Sequence, residues 1–179
     1  MAETMQQSTY MNVEPGAEFA ALLDGHRRLI FKVANAYARE AADVEDLAQE
    51  IAAQLWRAFP AYDRARLFST WMYRIALNVA ISWLRSEAPR RRRSVAYDGD
   101  MHEPPAEETA DDDEGRRILR GFIASQTALD RAVLLLYLEE TPYSGMSEVL
   151  GISVTNLTTK INRLKDRLRT YAEKHHGTR

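Results

Sequence analysis

Between Ala61 and Asn78 the chain gathers side chains suited to holding single-stranded bases. Flat rings stand at Phe68 and Trp71, each of which equally suits packing in the core, short hydrogen-bonding groups at Ser69, Thr70 and Asn78, and charged groups at Asp63, Arg64, Arg66 and Arg74. Aromatic faces stack on any base, and guanidinium groups hold the phosphates beside it. A second polar set near the C-terminus, Ser153, Thr155, Asn156, Thr158, Thr159, Lys160 and Arg163, has the types that reach base edges and phosphates from a helix in the major groove. A third, Asp46, Gln49 and Glu50, offers a polar face for a protein partner. Together they describe a chain that docks on a larger machine and opens DNA for it.

Helices must position all three sets. Phe19, Leu22, Leu23, His26, Ile30, Val33 and Tyr37 recur at three and four residues and predict one helix over 18–39. His26 on that stripe is a packed or boundary histidine. A second helix, capped by Asp43, buries Val44, Leu47, Ala48, Ile51, Leu55 and Ala58 and ends before Pro60. After a loop over 61–67, a third helix begins near Thr70 with Ser69 as its N-cap and turns Met72, Ile75, Ala76, Val79 and Trp83 inward. Pro89 and the run Arg90 to Arg93 close this bundle. Ile118, Leu119, Phe122 and Ile123 open a second unit, and leucine-dense Leu129 to Glu139 is buried on several sides. Thr141 caps a short helix with Pro142 at its first position. Gly151 then supplies a left-handed turn and Ser153 a new cap, followed by Leu157, Ile161, Leu164, Leu168 and Tyr171 on one face. Short helix, glycine turn and longer capped helix form a helix-turn-helix pattern.

The expected fold is all-α: a flexible tail (1–16), a three- to four-helix bundle (17–88), a flexible acidic linker (89–115), a helix-turn-helix domain (116–173) and a short tail (174–179). The net charge of −2 conceals an uneven distribution. Residues 98–114 carry nine carboxylates and no Lys or Arg, which leaves 24 basic against 17 acidic residues elsewhere, about +7. Prolines and carboxylates with few large apolar residues cannot offset chain entropy, so this stretch reads as a tether. With no cysteine, disulfides, thiolate metal sites and a cysteine nucleophile are excluded. No basic residue precedes Arg27, and the longest apolar run, Ala132 to Leu138, is too short to span a bilayer. A cytoplasmic location without membrane association is expected.

Asp43-Val44-Glu45-Asp46-Leu47-Ala48-Gln49-Glu50, the Phe68 to Asn78 segment, and Tyr143 to Arg169 with Leu150-Gly151-Ile152-Ser153 resemble, in order and spacing, the extracytoplasmic-function group of bacterial sigma factors. The resemblance implies a factor that binds core RNA polymerase, at the β′ coiled-coil and the β flap, recognises minus-35 and minus-10 promoter elements and promotes DNA melting. It assigns Asp46, Gln49 and Glu50 to core polymerase. The set from Asp63 to Asn78 falls to the minus-10 element and its flipped base, and the set from Ser153 to Arg163 to the minus-35 element. An anti-sigma factor is a further partner it suggests. Asn156-Leu157-Thr158-Thr159-Lys160 departs from the usual recognition-helix residues, so promoter sequence does not transfer. Gly145, where family members carry a helix former, costs about 1 kcal/mol relative to alanine and marks the short helix as a candidate for looseness. The acidic linker is a solubilising spacer, a nucleic-acid mimic near the RNA path, or a segment that folds back onto Arg90 to Arg93 or the recognition helix.

Catalysis is a poor fit. The histidines are scattered, no glycine-rich phosphate loop occurs, and Asp111 to Glu114 lacks the spaced oxygens of a calcium loop, so no cofactor or metal is expected. The competing reading is a conventional helix-turn-helix regulator that binds duplex DNA without polymerase. Such a duplex reader has no use for the stacking platform at Phe68 to Trp71.

Overall fold

The computed structural model describes residues 15–95 and 114–175. The expectations for residues 1–14, for the acidic linker over 96–113 and for 176–179 fall outside the described residues. Among those described, the elements are α1 (Pro15–Gly25), α2 (Arg27–Tyr37), α3 (Ala41–Ala58), a 3₁₀ turn (Phe59–Ala61), α4 (Phe68–Val95), α5 (Glu114–Ser125), α6 (Ala128–Leu138), α7 (Tyr143–Leu150) and α8 (Val154–His175). The all-α expectation holds.

Several boundaries differ from those expected, each for a local reason. The helix expected over 18–39 is two helices, because His26 leaves helical geometry (φ −118°, ψ 10°). Its Nδ1 lies 2.8 Å from the Leu22 carbonyl oxygen, and its ring meets Phe68 edge-on at 5.1 Å. The break lets α1 fold over the end of α3, where Phe19 packs against Trp56 and Phe59. Helix α3 starts two residues before Asp43: extended Glu40 is its N-cap, and Asp43 lies in the first turn, favourable for a carboxylate near the helix dipole. Ser69 is not the N-cap of α4, since the helix opens at Phe68 and the Trp71 N–H donates to the Leu67 carbonyl. Pro142, not Thr141, caps α7, and its carbonyl accepts the Met146 N–H. Pro89 does not end α4, which runs on to Val95. One interior proline forfeits a backbone bond, but the arginines after it are good helix formers.

Helices α2, α3 and α4 pack together with α1 across one end, and α8 holds α5, α6 and α7. Val33, Leu47, Ile51, Leu55, Met72 and Leu77 fill the first bundle, and Phe122, Leu136, Met146, Leu157 and Leu164 the second. The two units are not held apart. Helices α2 and α4 lie against α6, and α4 also against α7, so the buried residues of both join in one apolar core. At the seam, the Tyr37 hydroxyl donates to the Ala128 carbonyl at 2.7 Å. Arg131 donates to the carbonyls of Gln126 (3.0 Å), Ala36 (3.2 Å) and Ala124.

Helices α6 and α7 both end on a left-handed residue. After α7 it is Gly151 (φ 67°), the expected glycine turn; after α6 it is Glu140 (φ 53°). A side chain with a Cβ pays about 1–2 kcal/mol in that region. The Glu140 turn persists because the N–H groups of Glu140 and Thr141 close onto the carbonyls of Tyr137 and Leu136, satisfying the helix end. Helix α7 forms through Gly145, where an added methyl would come within 3.3 Å of the Thr141 methyl, so alanine would not recover its full propensity gain there. Gly151→Ala should therefore lower the urea midpoint by the equivalent of about 1–2 kcal/mol. Glu140→Gly should raise it by up to about 1 kcal/mol, the strain relieved less the extra chain entropy of glycine. Equilibrium unfolding by circular dichroism checks both.

Candidate polymerase and nucleic-acid interfaces

The outer face of α3 is set by its inner one. Leu47, Ala48, Ile51 and Leu55 are buried, which turns Asp46, Gln49 and Glu50 out to solvent. Glu50 accepts a hydrogen bond from the Gln54 side chain at 2.8 Å and lies 3.6 Å from the Arg57 guanidinium. These contacts are exposed and weak, and a partner can displace them.

The loop between the 3₁₀ turn and α4 is stitched internally. The Asp63 carboxylate accepts from the Ala65 N–H, the Asp63 carbonyl from the Arg66 N–H, and the Arg66 carbonyl from the Tyr62 hydroxyl at 2.6 Å. Beneath it lies a cluster of rings: Phe68 stacks on Trp71 at 5.3 Å, and Tyr62 meets both at 5.3 and 5.0 Å. Phe68 is only 7% exposed, so the expected stacking face is spent on the core. Trp71, Ser69 and Thr70 are half-buried, while Asp63, Arg64, Arg66, Arg74 and Asn78 are exposed. Arg74 and Asn78 stand one turn apart on the same face of α4. Sequence reasoning missed Leu67, 75% exposed at the loop's edge; its only sequence signal is a large apolar residue between Arg66 and the buried ring.

Both loop arginines are engaged. Arg64 makes a two-point contact with Glu18 of α1 at 2.9 and 2.5 Å, and that guanidinium holds the Glu18 carboxyl below its ordinary range. Arg66 reaches Glu148 of α7 at 2.5 Å. Both pairs are exposed.

In the second unit Ser153 caps α8 as expected, its hydroxyl accepting from the Asn156 N–H at 3.3 Å. Leu157, Ile161 and Leu164 face inward, leaving Thr155, Asn156, Thr159 and Arg163 exposed and Thr158 half-buried. The Thr158 and Thr159 hydroxyls bond back to the carbonyls of Val154 and Thr155. Lys160 differs from the rest of its set: its ammonium is held 2.6 Å from Asp130, a carboxylate on α6 that is 5% exposed and also lies 3.3 Å from Arg167. Burial would raise the Asp130 carboxyl, but Lys160 first, then Arg167 and Thr127, outweigh it and hold the group below its usual range. Nothing in the sequence links positions 30 residues apart, so this anchor was invisible there. Among the described residues no group of side chains suits a metal ion.

A polar-faced helical bundle joined to a helix-turn-helix unit is the class that fold and site define. Residues 22–90 match the family model for sigma-70 region 2. The chain is 31% identical over 157 residues to the ECF RNA polymerase sigma factor SigK of Mycobacterium sp. (strain JLS), covering 84% of this chain and 79% of that protein. It is 24% identical over 183 residues to SigW of Bacillus subtilis, covering 93% and 96%. In fold it resembles the sigma factor RpoE, solved with the anti-sigma factor NepR from Bartonella quintana (TM-score 0.63, 16% identity, 87% of this chain and 97% of that one). It also resembles CnrH, solved with the cytosolic domain of CnrY (TM-score 0.61, 20% identity, 87% and 88%). The chain belongs to the extracytoplasmic-function RNA polymerase sigma factors.

Two measurements test the α8 assignment. Arg163→Ala should reduce the slope of log affinity against log salt for duplex DNA by about 1, and Lys160→Ala should leave it nearly unchanged. The Asp130 carboxyl is depressed in the folded state, so its stabilisation is complete above the unfolded value near 3.8 and is lost as pH falls through the lower folded value. The stability gap between wild type and Asp130→Asn, about 2 kcal/mol at pH 7, should hold to about pH 4 and shrink below it.

Proposed function

We propose that the chain acts as a sigma factor in two parts, with residues 17–88 serving core polymerase and the minus-10 element and residues 116–173 the minus-35 element. The observation that carries this reading is the exposed row Asp46, Gln49 and Glu50 on α3, in a chain whose family membership spans both helical units. Those three residues dock on the β′ coiled-coil, and the second unit meets the β flap. Arg74 and Asn78 follow the opened strand along α4, with Trp71, Ser69 and Thr70 at the lip of the loop and Asp63, Arg64 and Arg66 around the flipped base. Phe68 supports that pocket from beneath. Exposed Leu67 adds an apolar edge of the kind that props unstacked bases apart.

On α8, Thr155, Asn156, Thr158, Thr159 and Arg163 read the upstream element, Ser153 orients the helix, and Lys160 serves chiefly as its anchor. Opening draws its free energy from preferring flipped, single-stranded DNA over duplex, and the chain itself needs no cofactor. Sigma factors are initiation factors, and this one works beside polymerase in the cytoplasm; no described helix is long and apolar enough to cross a membrane. An anti-sigma factor is a fitting regulator, since the structurally similar RpoE was captured with one.

Run-off transcription with purified core polymerase on a promoter library tests the reading. Wild type should give specific transcripts, and a Gln49→Ala, Glu50→Ala variant should give at least tenfold fewer while keeping its fold. Specific duplex binding by the chain alone, without transcripts, would instead identify a conventional regulator.

A further inference from the structure

Three cations line one side of α8, and a single carboxylate holds two of them. Asn156, Lys160, Arg163 and Arg167 follow one another at four, three and four residues, the spacing that aligns side chains along one side of a helix. Arg163 is exposed. Lys160 and Arg167, on either side of it, converge on Asp130 of α6, one on each carboxylate oxygen, at 2.6 and 3.3 Å. The Asp130 side chain is 7% exposed, whereas those of Lys160 and Arg167 keep 35% and 51%. Only the anion is buried; the cations that answer it stay at the surface.

Stability alone does not call for this arrangement. One cation balances one carboxylate, and an apolar residue of similar size in place of a buried ion pair is often no less stable. What the arrangement changes is the electrostatic character of α8. A cation that reaches a phosphate strengthens binding to every sequence alike and steepens its dependence on salt, whereas contacts to base edges distinguish one sequence from another. Two cations fastened to α6 are two fewer for the DNA backbone.

We propose that Asp130 is a specificity-determining residue: by holding Lys160 and Arg167 against α6 it withholds two cations from DNA phosphates, leaving Thr155, Asn156, Thr159 and Arg163 to set duplex affinity. This deepens the reading of α8 as the minus-35 reader and rests on it for its biological consequence, but the charge clamp itself needs only a duplex.

Three full-length chains test it: wild type, Asp130→Asn, and Asp130→Asn with Lys160→Gln and Arg167→Gln. Asparagine keeps the shape of the side chain, and the backbone N–H at this position still meets the Thr127 hydroxyl, so the variant should fold. Anisotropy is measured against salt with two labelled duplexes of equal length, one random in sequence and one enriched from a library by the wild-type chain. Run-off transcription with core polymerase is measured in parallel.

Asp130→Asn should bind the random duplex about tenfold more tightly at low salt, with a slope of log affinity against log salt steeper by about 1–2. Its preference for the enriched duplex should fall at least about fivefold. The triple variant should return slope and preference to wild type, which a merely structural role for Asp130 would not allow. An unchanged or shallower slope in Asp130→Asn, a steeper slope that persists in the triple variant, an unchanged preference, or no duplex binding by any form overturns the proposal. Should Asp130→Asn fail to fold by circular dichroism, Arg167→Gln, which keeps the Lys160 pair, decides: its slope should match wild type, and a loss of about 1 overturns the clamp. The expected shifts without transcripts from any form keep the clamp and sink the sigma-factor reading, and transcripts without the shifts do the reverse.

Discussion

Arg131 is the constraint on which the arrangement of the two units turns. Helix ends leave carbonyls without partners, and buried carbonyls without partners are costly. The α2 terminus at Ala36 and the α5 terminus at Ala124 and Gln126 meet at one place, and a single guanidinium from α6 donates to all three carbonyls. Its planar fork can serve several acceptors at once, which a lysine cannot match. The same group lies 6.0 Å from the Tyr37 ring centroid, and the hydroxyl of that ring reaches back to Ala128. Burial drives the Tyr37 phenol far above its ordinary value, leaving it a permanent donor. With that knot tied, α6 is oriented on α2, α7 follows onto α4, and Glu139 and Glu148 come within reach of cations in the first unit.

The aromatic cluster under the loop plays the matching role at the other end of the first bundle. Phe59, Tyr62, Phe68 and Trp71 give the short segment after α3 a rigid floor, and Tyr62 pins the loop by its bond to Arg66. Rings in such edge and offset contacts gain about 0.5–1.5 kcal/mol per pair beyond their buried area. In a loop ordered beforehand the entropy of ordering is spent in folding, not in any later binding. Phe68 therefore supports the loop from below.

Helix α8 is fixed by a similar division of labour. Its inner seam of Leu157, Ile161 and Leu164 sets its rotation, and the Asp130 pair with Lys160 and Arg167 sets its tilt against α6. A buried carboxylate needs a cation, and the Lys160 ammonium supplies it at 2.6 Å. Thr155, Asn156 and Arg163 remain exposed on the outer face of α8.

Local chemistry determined much of this from the chain alone. Three- and four-residue spacing of apolar groups identified the helices, because burial of one face is a periodic requirement. Gly151 and Ser153 announced the turn and cap of α8, since only a few residue types satisfy those backbone positions. The same periodicity turned Asp46, Gln49 and Glu50 outward, because their neighbours Leu47, Ala48 and Ile51 had to be buried. Helix starts shifted by one to three residues at Asp43, Ser69 and Thr141, where a good capping side chain lay near the true start but backbone geometry chose another residue. The break at His26 was hidden because an unbroken stripe continues on both sides of it, and only the packing of α1 over α3 requires the bend. Tertiary structure alone decided that Phe68 lies in the core, that Lys160 meets Asp130 and that Arg66 meets Glu148. Those outcomes join residues as many as 82 positions apart, and a sequence pattern reports the neighbours of a residue along its own helix, not the charge that another helix will bring to it.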